Sequence, residues 1–208
     1  MDRLTGTAVD ARMDAVLARA GAFFMGKSPV HQAAEEIARR LEAAGIDYAV
    51  AGALSLGYHG FERTTEDVDI LITAEGLERF KAEWLGRGYV NVKAGGKPVR
   101  DTVNNVRIDF LLAGEFPGDG KPKPVAIPIP QEAAESGERF RVVTLPRLIE
   151  LKLASGMSAP HRARDLVDIQ DLIHRARLPK DLVEQLNPYV QGRFAELWAL
   201  AQVPDEDY

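Results

Sequence analysis

The sequence predicts an α+β fold in which helices flank a mixed β-sheet and a helical region forms the C-terminal part. Two kinds of pattern predict it. Apolar residues recur at helical spacing over 31–44, whereas apolar and polar residues alternate, as in strands, over 67–72 and 106–112. After residue 145 the patterns are helical. This order belongs to α+β or α/β chains and excludes an all-α or all-β fold.

The first elements are predicted around two glycines. The helix at 31–44 ends at Gly45, because glycine adopts the left-handed conformation that commonly terminates helices. A short apolar strand at 47–51 leads to Gly52, which begins a short helix directly after the strand. A loop then connects this helix to the strand at 67–72.

The remaining elements follow from the same patterns. A helix is predicted at 75–86, strands at 89–92, 99–103, 106–112 and 139–144, and helices at 145–155, 161–176, 180–187 and 188–201. Only Gly114–Gly137 resembles a linker, since it holds five of the twelve prolines. We divide the chain into an N-terminal helical extension (1–30), a core (31–144) and a helical C-terminal region (145–208).

The composition is that of a globular chain. With 208 residues, of which 46% are hydrophobic, the chain is long enough to bury a substantial core. The absence of cysteine excludes disulfides, thiolate-bound metals and a cysteine nucleophile, and it fits a reducing compartment. Because charges interrupt residues 1–22, we expect no signal sequence or bilayer span, and we predict a cytoplasmic protein without a membrane partner. The net charge of -5 argues against broad polyanion binding but does not exclude a local basic groove.

Three aspartates on two predicted strands are the strongest functional signal. Asp67 and Asp69 are two residues apart, so both project from the same face of their strand, about 6.5–7 Å apart. If the strand at 106–112 pairs beside it, Asp109 lies across from them at about 5 Å. Two carboxylates at that distance repel by about 3 kcal/mol at an effective dielectric of 20. A hard divalent cation, chiefly Mg²⁺, would relieve this repulsion.

Gly52 adds a second signal, for phosphate. A glycine between a strand end and a helix start lets a triphosphate approach backbone N–H groups at the positive end of the helix. Two divalent ions about 3.5–4 Å apart are a known device for in-line displacement at phosphorus. The alternative is that Asp67 and Asp69 line a solvated sheet face and that Gly52 serves a turn, since Asp-x-Asp is a common tripeptide.

The combination of these residues resembles a known signature. Gly52-Ala53, thirteen intervening residues and Asp67-Val68-Asp69-Ile70, with Asp109 on a later strand, resemble the polymerase-β-type nucleotidyltransferases. Within that superfamily the chain is similar to the small bacterial branch that includes the AbiEii and MenT toxins. The resemblance covers about residues 33–176. Three further segments strengthen it, namely Arg63-Thr64-Thr65, Leu145–Leu153 and Arg164–Asp168.

The resemblance implies roles for individual residues. Asp67 and Asp69 would bind the catalytic Mg²⁺ or Mn²⁺, with Asp109 as a third carboxylate. Lys152 would reach the triphosphate, and Asp165 or Asp168 would orient that lysine or the acceptor. The nucleotide-binding residues would be Gly52, Ala53, Ser55, Arg63, Thr65 and Asp165. Two alternatives stay open, namely that Lys152 is a surface lysine and that Arg164 and Asp168 form an i,i+4 surface pair.

One residue departs from the family pattern. The family usually has Gly-Ser or Gly-Gly where this chain has Gly52-Ala53, and alanine offers no hydroxyl to a phosphate oxygen. Ser55 is a candidate to compensate. The departure is compatible with a slower or differently specific enzyme, or with a protein that binds nucleotide without turning it over. Because both Asp67 and Asp69 are present, we expect activity.

The predicted function is therefore transfer of a nucleoside monophosphate from an NTP to an acceptor hydroxyl, with release of pyrophosphate. The resemblance implies an RNA end, such as the 3′ end of tRNA, or a protein hydroxyl as the acceptor, and a toxin paired with a cognate antitoxin. One alternative is modification of a small molecule such as an antibiotic, because those enzymes share the acidic pair. Another is a non-catalytic nucleotide-binding module.

Overall fold

The structure is a computed structural model that describes residues 4–203, with side chains described from Met13 onward. Its helices are α1 (Leu4–Phe24), α2 (Pro29–Ala43), α3 (Gly52–Tyr58), α4 (Ala74–Trp84), α5 (Pro130–Ala133), α6 (Leu145–Ser158), α7 (Ala163–Arg175) and α8 (Pro188–Leu200). Its strands are β1 (Tyr48–Val50), β2 (Asp67–Ile72), β3 (Tyr89–Asn91), β4 (Val99–Asp101), β5 (Arg107–Leu112), β6 (Ala134–Ser136) and β7 (Arg141–Val143). The ends of the predicted extension and C-terminal region, residues 1–3 and 204–208, lie outside the described residues.

The seven strands form one mixed sheet in the order β3-β4-β5-β2-β1-β7-β6. The central strand β2 pairs in parallel with β5 and antiparallel with β1. In the β2–β5 register Asp69 lies opposite Asp109, so the strand pairing on which the placement of Asp109 depended is present. Helices pack on both faces and follow the last strand, which confirms the predicted α+β fold with a helical C-terminal part.

The two faces of the sheet bury two separate apolar clusters. Val68, Ile70 and Ile72 of β2 pack with helices α2 and α4 on one face. Leu71, on the opposite side of the same strand, packs with α6, α7 and α8. Because strand side chains alternate, Asp67 and Asp69 project from the same face as Leu71. The acidic pair therefore lies on the side of the sheet that the C-terminal helices cover.

The region predicted as a linker contains regular structure, which corrects that expectation. Helix α5 and strand β6 lie within 114–137, and β6 pairs with β7 at the edge of the sheet. The physical reason is that Val125, Ile127 and Ala133 are buried in the cluster beneath the C-terminal helices. The proline content of the segment gives no indication that these apolar side chains are buried.

The helical C-terminal elements differ from the prediction at their ends. Helix α6 continues to Ser158, and α7 is preceded by a 3₁₀ turn at Pro160–Arg162. The segment predicted as a helix at 180–187 is a 3₁₀ helix at Lys180–Gln185. Among the described helices, none is both long and apolar enough to cross a membrane.

Candidate active site

Gly52 brings the start of α3 against the acidic strand β2. It has a φ of +62°, and a Cβ on Gly52 would lie 1.9 Å from Asp69 Oδ2. The neighbouring Ala51 N–H donates to the Asp69 carbonyl at 2.8 Å. Any side chain here would be strained by the positive φ and would collide with the carboxylate. Glycine is therefore required where the backbone of the β1–α3 turn meets Asp69.

Asp69 is held among negative charges. Burial, together with the nearby carboxylates of Asp67 and Asp109, raises the pKa of Asp69 to about 6, although Lys152 and Arg162 act in the opposite direction. Asp67 is half-buried, and the Thr65 hydroxyl donates to its Oδ1. A carboxyl whose pKa is raised in this way is stabilised by an added cation. The Asp67–Asp69 pair thus fits a hard divalent ion by both its oxygen donors and its excess negative charge.

Asp109 has a cation of its own. Arg107, two residues earlier on β5, donates to both oxygens of Asp109 over distances of 2.7–3.1 Å. Across the described part of the chain, no three His, Asp or Glu side chains converge closely enough to hold a metal ion. At this site Arg107 occupies the oxygens that would make Asp109 a third ligand alongside Asp67 and Asp69.

Lys152 lies in a buried ion-pair network. Its Nζ donates to Asp165 Oδ1 at 2.9 Å and to Asp168 Oδ2 at 2.7 Å, and the lysine is 8% exposed. Arg63, from the loop before β2, also pairs with Asp168, with its Nε 2.8 Å from Oδ1. The Ser155 hydroxyl donates to Asp165 Oδ2 at 2.7 Å. The four charges balance, and one of the three Lys152 protons has no carboxylate partner in this network.

These contacts settle the two alternatives left by the sequence. Lys152 is buried and is not a surface lysine. Asp168 is 2% exposed and pairs with Arg63 and Lys152, whereas Arg164 is exposed. The alternative that Arg164 and Asp168 form an i,i+4 surface pair is therefore wrong, because Asp168 is buried and pairs with Lys152 of α6 and with Arg63.

Ser55 and Ala53 are both buried in the first turns of α3. Ser55 is fully buried, and its hydroxyl donates to the Val143 carbonyl at 3.2 Å. That bond ties α3 to β7 and uses the one proton of the hydroxyl. Ser55 therefore serves the packing of α3, and its hydroxyl proton is not free to bind a phosphate oxygen, which corrects its predicted role.

Two arginines near the acidic pair were not assigned from the sequence. Arg162 Nε lies 3.7 Å from Asp165 Oδ2. The positive charge of this half-exposed side chain also lowers the pKa of Asp69, against the larger effect of burial. Burial raises the pKa of Asp165, but Lys152, Ser155 and Arg162 together hold it below its usual value. The second is Arg107. Its i,i+2 spacing from Asp109 on a strand was a usable signal, whereas only the fold brings Arg162 near β2.

Comparisons with known proteins yield remote structural similarity only. No protein-family model matches the chain, and no curated protein matches it. The solution structure of the antibiotic-resistance factor ANT(2'')-Ia is 15% identical, with a TM-score of 0.49 over 77% of this chain and 90% of that one. A crystal structure of ANT(2'')-Ia with adenylyl-2''-tobramycin is 11% identical, with a TM-score of 0.44 over 78% and 92%.

A third solved structure is a nucleotidyltransferase-like protein from Paracoccidioides brasiliensis. It is 15% identical to this chain, with a TM-score of 0.41 over 77% of this chain and 89% of that one. Similarities at this level assign neither a family nor a substrate to this chain. Its function has to be argued from the geometry of the site.

Proposed function

We propose that this chain is a metal-dependent nucleotidyltransferase of the polymerase-β type, which moves a nucleoside monophosphate from an NTP to an acceptor hydroxyl. The observation that carries the proposal is the contact between Gly52 and Asp69. A backbone that only glycine permits lies against a carboxylate with excess negative charge. Phosphate-binding backbone and metal-binding carboxylates are the two halves of a phosphoryl-transfer site.

Asp67 and Asp69 would hold Mg²⁺ or Mn²⁺, with Asp109 as an additional carboxylate once Arg107 is displaced. The bound metal would supply Lewis-acid polarisation of the α-phosphoryl group. Thr65 holds Asp67 in place through its hydroxyl.

The remaining residues would bind and orient the triphosphate. The backbone at Gly52 and Ala53 and the unpartnered proton of Lys152 would contact phosphate oxygens. Asp165 and Asp168 hold the Lys152 ammonium group in one position, and Arg63 pairs with both oxygens of Asp168. In the reaction the acceptor oxygen bonds to the α-phosphorus, the α–β bridging P–O bond breaks, and pyrophosphate leaves. A carboxylate of Asp67, Asp69 or Asp109 takes the hydroxyl proton.

Direct labelling tests the proposal. The purified chain is incubated with each α-³²P-labelled NTP, Mg²⁺, total cellular RNA and total cellular protein. The label is then measured separately in the RNA and in the protein fraction. We expect transfer by the wild type, loss of at least about 100-fold in Asp67→Ala, and unchanged transfer in Asp181→Asn, an exposed aspartate in the C-terminal region. No transfer by the wild type with any NTP, together with normal nucleotide binding, would favour the non-catalytic module.

The same assay separates the acceptor classes. Label in RNA would favour the RNA-end acceptor, and label in protein would favour the protein hydroxyl. A small-molecule acceptor is tested by adding tobramycin to the reaction. A toxin role, which the family resemblance implies, predicts that expression arrests growth in the wild type and not in Asp67→Ala, and that a cognate antitoxin reverses the arrest.

A further inference from the structure

A pocket of about 430 Å³ lies against helix α3, outside the Asp67–Asp69 pair. Four parts of the chain line it, namely the end of α1, the start of α2, α3 itself and the hairpin that joins β6 to β7. Sites for small molecules usually span about 300–1000 Å³. The pocket therefore has room for one small molecule.

Hydrogen bonds between these elements hold the walls of the pocket in place. Arg139 of the hairpin donates through Nη1 to the Gly26 carbonyl at 2.7 Å and to Glu35 Oε1 at 2.9 Å. The Tyr58 hydroxyl, from α3, donates to the Ser136 carbonyl of β6 at 3.3 Å. The hairpin is thus tied both to the α1–α2 turn and to α3. A ligand would meet a pocket that is already formed, as is usual for small-molecule sites.

Apolar side chains form most of the pocket surface. Phe23 and Leu54 are each only 8% exposed, and Phe140 packs beside them. Phe24 of α1 and Tyr58 of α3 also line the pocket, but their side chains stay 54% and 46% exposed. Exposed aromatic rings gain free energy when an apolar ligand covers them, and their faces also attract cations. The walls therefore favour an apolar ligand and tolerate a positive charge on it.

The charged side chains of the pocket select the sign of that charge. Within the described residues, neither Glu62 nor Glu138 forms an ion pair, whereas Arg139 is paired with Glu35 at 2.9 Å. Burial and the charge of Arg139 hold the pKa of His31 below its usual value, against the effects of Glu35 and Glu62, so His31 is neutral at pH 7. The pocket thus carries two carboxylates that no cation neutralises.

We propose that this pocket binds a small organic cation, in which one ammonium group is attached to an aromatic body. Glu62 and Glu138 neutralise the ammonium group, and the aromatic body packs on Phe24 and Tyr58. The ligand also contacts α3 at Ala53, which follows the glycine of the β1–α3 turn. This binding site is additional to the proposed nucleotide site, and it does not depend on the proposed function.

Three ligands of similar shape and different charge test the proposal. The probe is 2-phenylethylamine, and the comparison ligands are 2-phenylethanol, which is neutral, and 3-phenylpropionate, which is an anion. Each is titrated into the full chain without NTP or metal, and Kd is measured by saturation-transfer NMR. We expect the amine to bind about tenfold more tightly than the alcohol, and the anion to bind most weakly. Equal Kd values for the three ligands, or no binding of the amine, would overturn the proposal.

Glutamine variants test the two carboxylates. Glu62→Gln and Glu138→Gln should each raise the Kd of 2-phenylethylamine by about two- to fivefold, and the double variant should bind the amine and the alcohol equally. The matched control is Glu132→Gln with Glu184→Gln, two exposed glutamates of other elements, which should change nothing. A preference for the amine that persists in the Glu62/Glu138 double variant would contradict the assignment.

Filling the pocket tests the location of the site. Only Glu62 Cγ, at 3.7 Å, lies within 4 Å of the point that a Cβ on Gly57 would occupy, so a larger side chain fits there. Gly57→Leu should raise the Kd of both the amine and the alcohol about tenfold or more, without lowering the melting temperature, because leucine is a better helix former than glycine. Gly192→Leu, in α8, is the control, since open space surrounds that glycine. Unchanged binding in a folded Gly57→Leu protein would place the ligand elsewhere and overturn the proposal.

Discussion

At the scale of single residues, Gly52 is the position in the site where both the backbone conformation and the neighbouring atoms exclude a side chain. Its positive φ and its contact with Asp69 are two separate reasons why no other residue fits. Gly45 offers a matched comparison, because it has a φ of +60° and no atom lies within 4 Å of the point that a Cβ would occupy. The pair therefore separates backbone strain from the collision with the carboxylate.

We predict that Gly45→Ala lowers the free energy of unfolding by about 1–2 kcal/mol, the cost of a left-handed alanine. Gly52→Ala should cost about 1–3 kcal/mol more, because Asp69 must move away from the new methyl group. Urea denaturation of both variants measures the difference. Equal losses would mean that the turn accommodates the methyl group without disturbing Asp69.

Asp69 itself predicts a pH dependence of the metal-free protein. Because its pKa rises from an ordinary value of 3.8 to about 6 on folding, the folded state binds more protons between these values. The ionised Asp69 carboxylate therefore destabilises the folded state fully above pH 6, and this destabilisation disappears as the pH falls toward 3.8. Relative to Asp69→Asn, the wild type should gain stability between pH 7 and pH 5, measured by denaturation in EDTA. Parallel pH profiles would contradict the assignment.

At the scale of elements, the β2–β5 pair brings the carboxylates together, and β5 also carries the arginine that restrains one of them. The register places Asp69 beside Asp109, while Arg107 occupies the Asp109 oxygens from the same strand. A metal that uses Asp109 must displace Arg107. The arginine is half-exposed, so the ion pair is worth only about 0.2–1 kcal/mol.

Arg107→Ala should therefore strengthen metal binding by roughly 1.4- to fivefold, the equivalent of that pair. Titration with Mn²⁺, followed by the rise in melting temperature, measures the effect. Lys97→Ala is the control, since it removes an exposed cation whose partner is Glu115. A weaker metal response in Arg107→Ala would show that Arg107 supports the site rather than competing with the ion.

At the scale of the whole molecule, one buried ion network joins segments that are far apart in the chain. Arg63 comes from the loop before β2, Lys152 from α6 and Asp168 from α7. The network connects the sheet to the C-terminal helices on the face where Asp67 and Asp69 lie. Its integrity sets the distance between the proposed phosphate-binding lysine and the acidic strand.

Removing one member should leave uncompensated buried charge. We predict that Asp168→Ala lowers the free energy of unfolding by about 3–5 kcal/mol. Glu196→Ala, which breaks an exposed pair with Arg193, should cost less than about 1 kcal/mol. Denaturant unfolding compares the two variants. Similar small losses would indicate that water screens the network around Asp168.

Much of this arrangement was predictable because it depends on local patterns. Alternation of apolar and polar residues predicts the strand at 67–72 and the common face of Asp67 and Asp69, and the glycine after an apolar strand predicts the start of α3. The linker assignment at 114–137 failed, since proline content reports local backbone preference while Val125 and Ile127 are held by distant helices.

The sequence by itself therefore determined the element types outside 114–137, the acidic pair and the glycine turn, because each depends on residues close together in the chain. Only the tertiary structure decided the partners of the charged residues. Asp168 pairs with Arg63 across 105 positions, and Lys152 of α6 pairs with Asp165 and Asp168 of α7. Electrostatic contacts depend on distance in space and on burial, and neither is written in the spacing of residues along the chain.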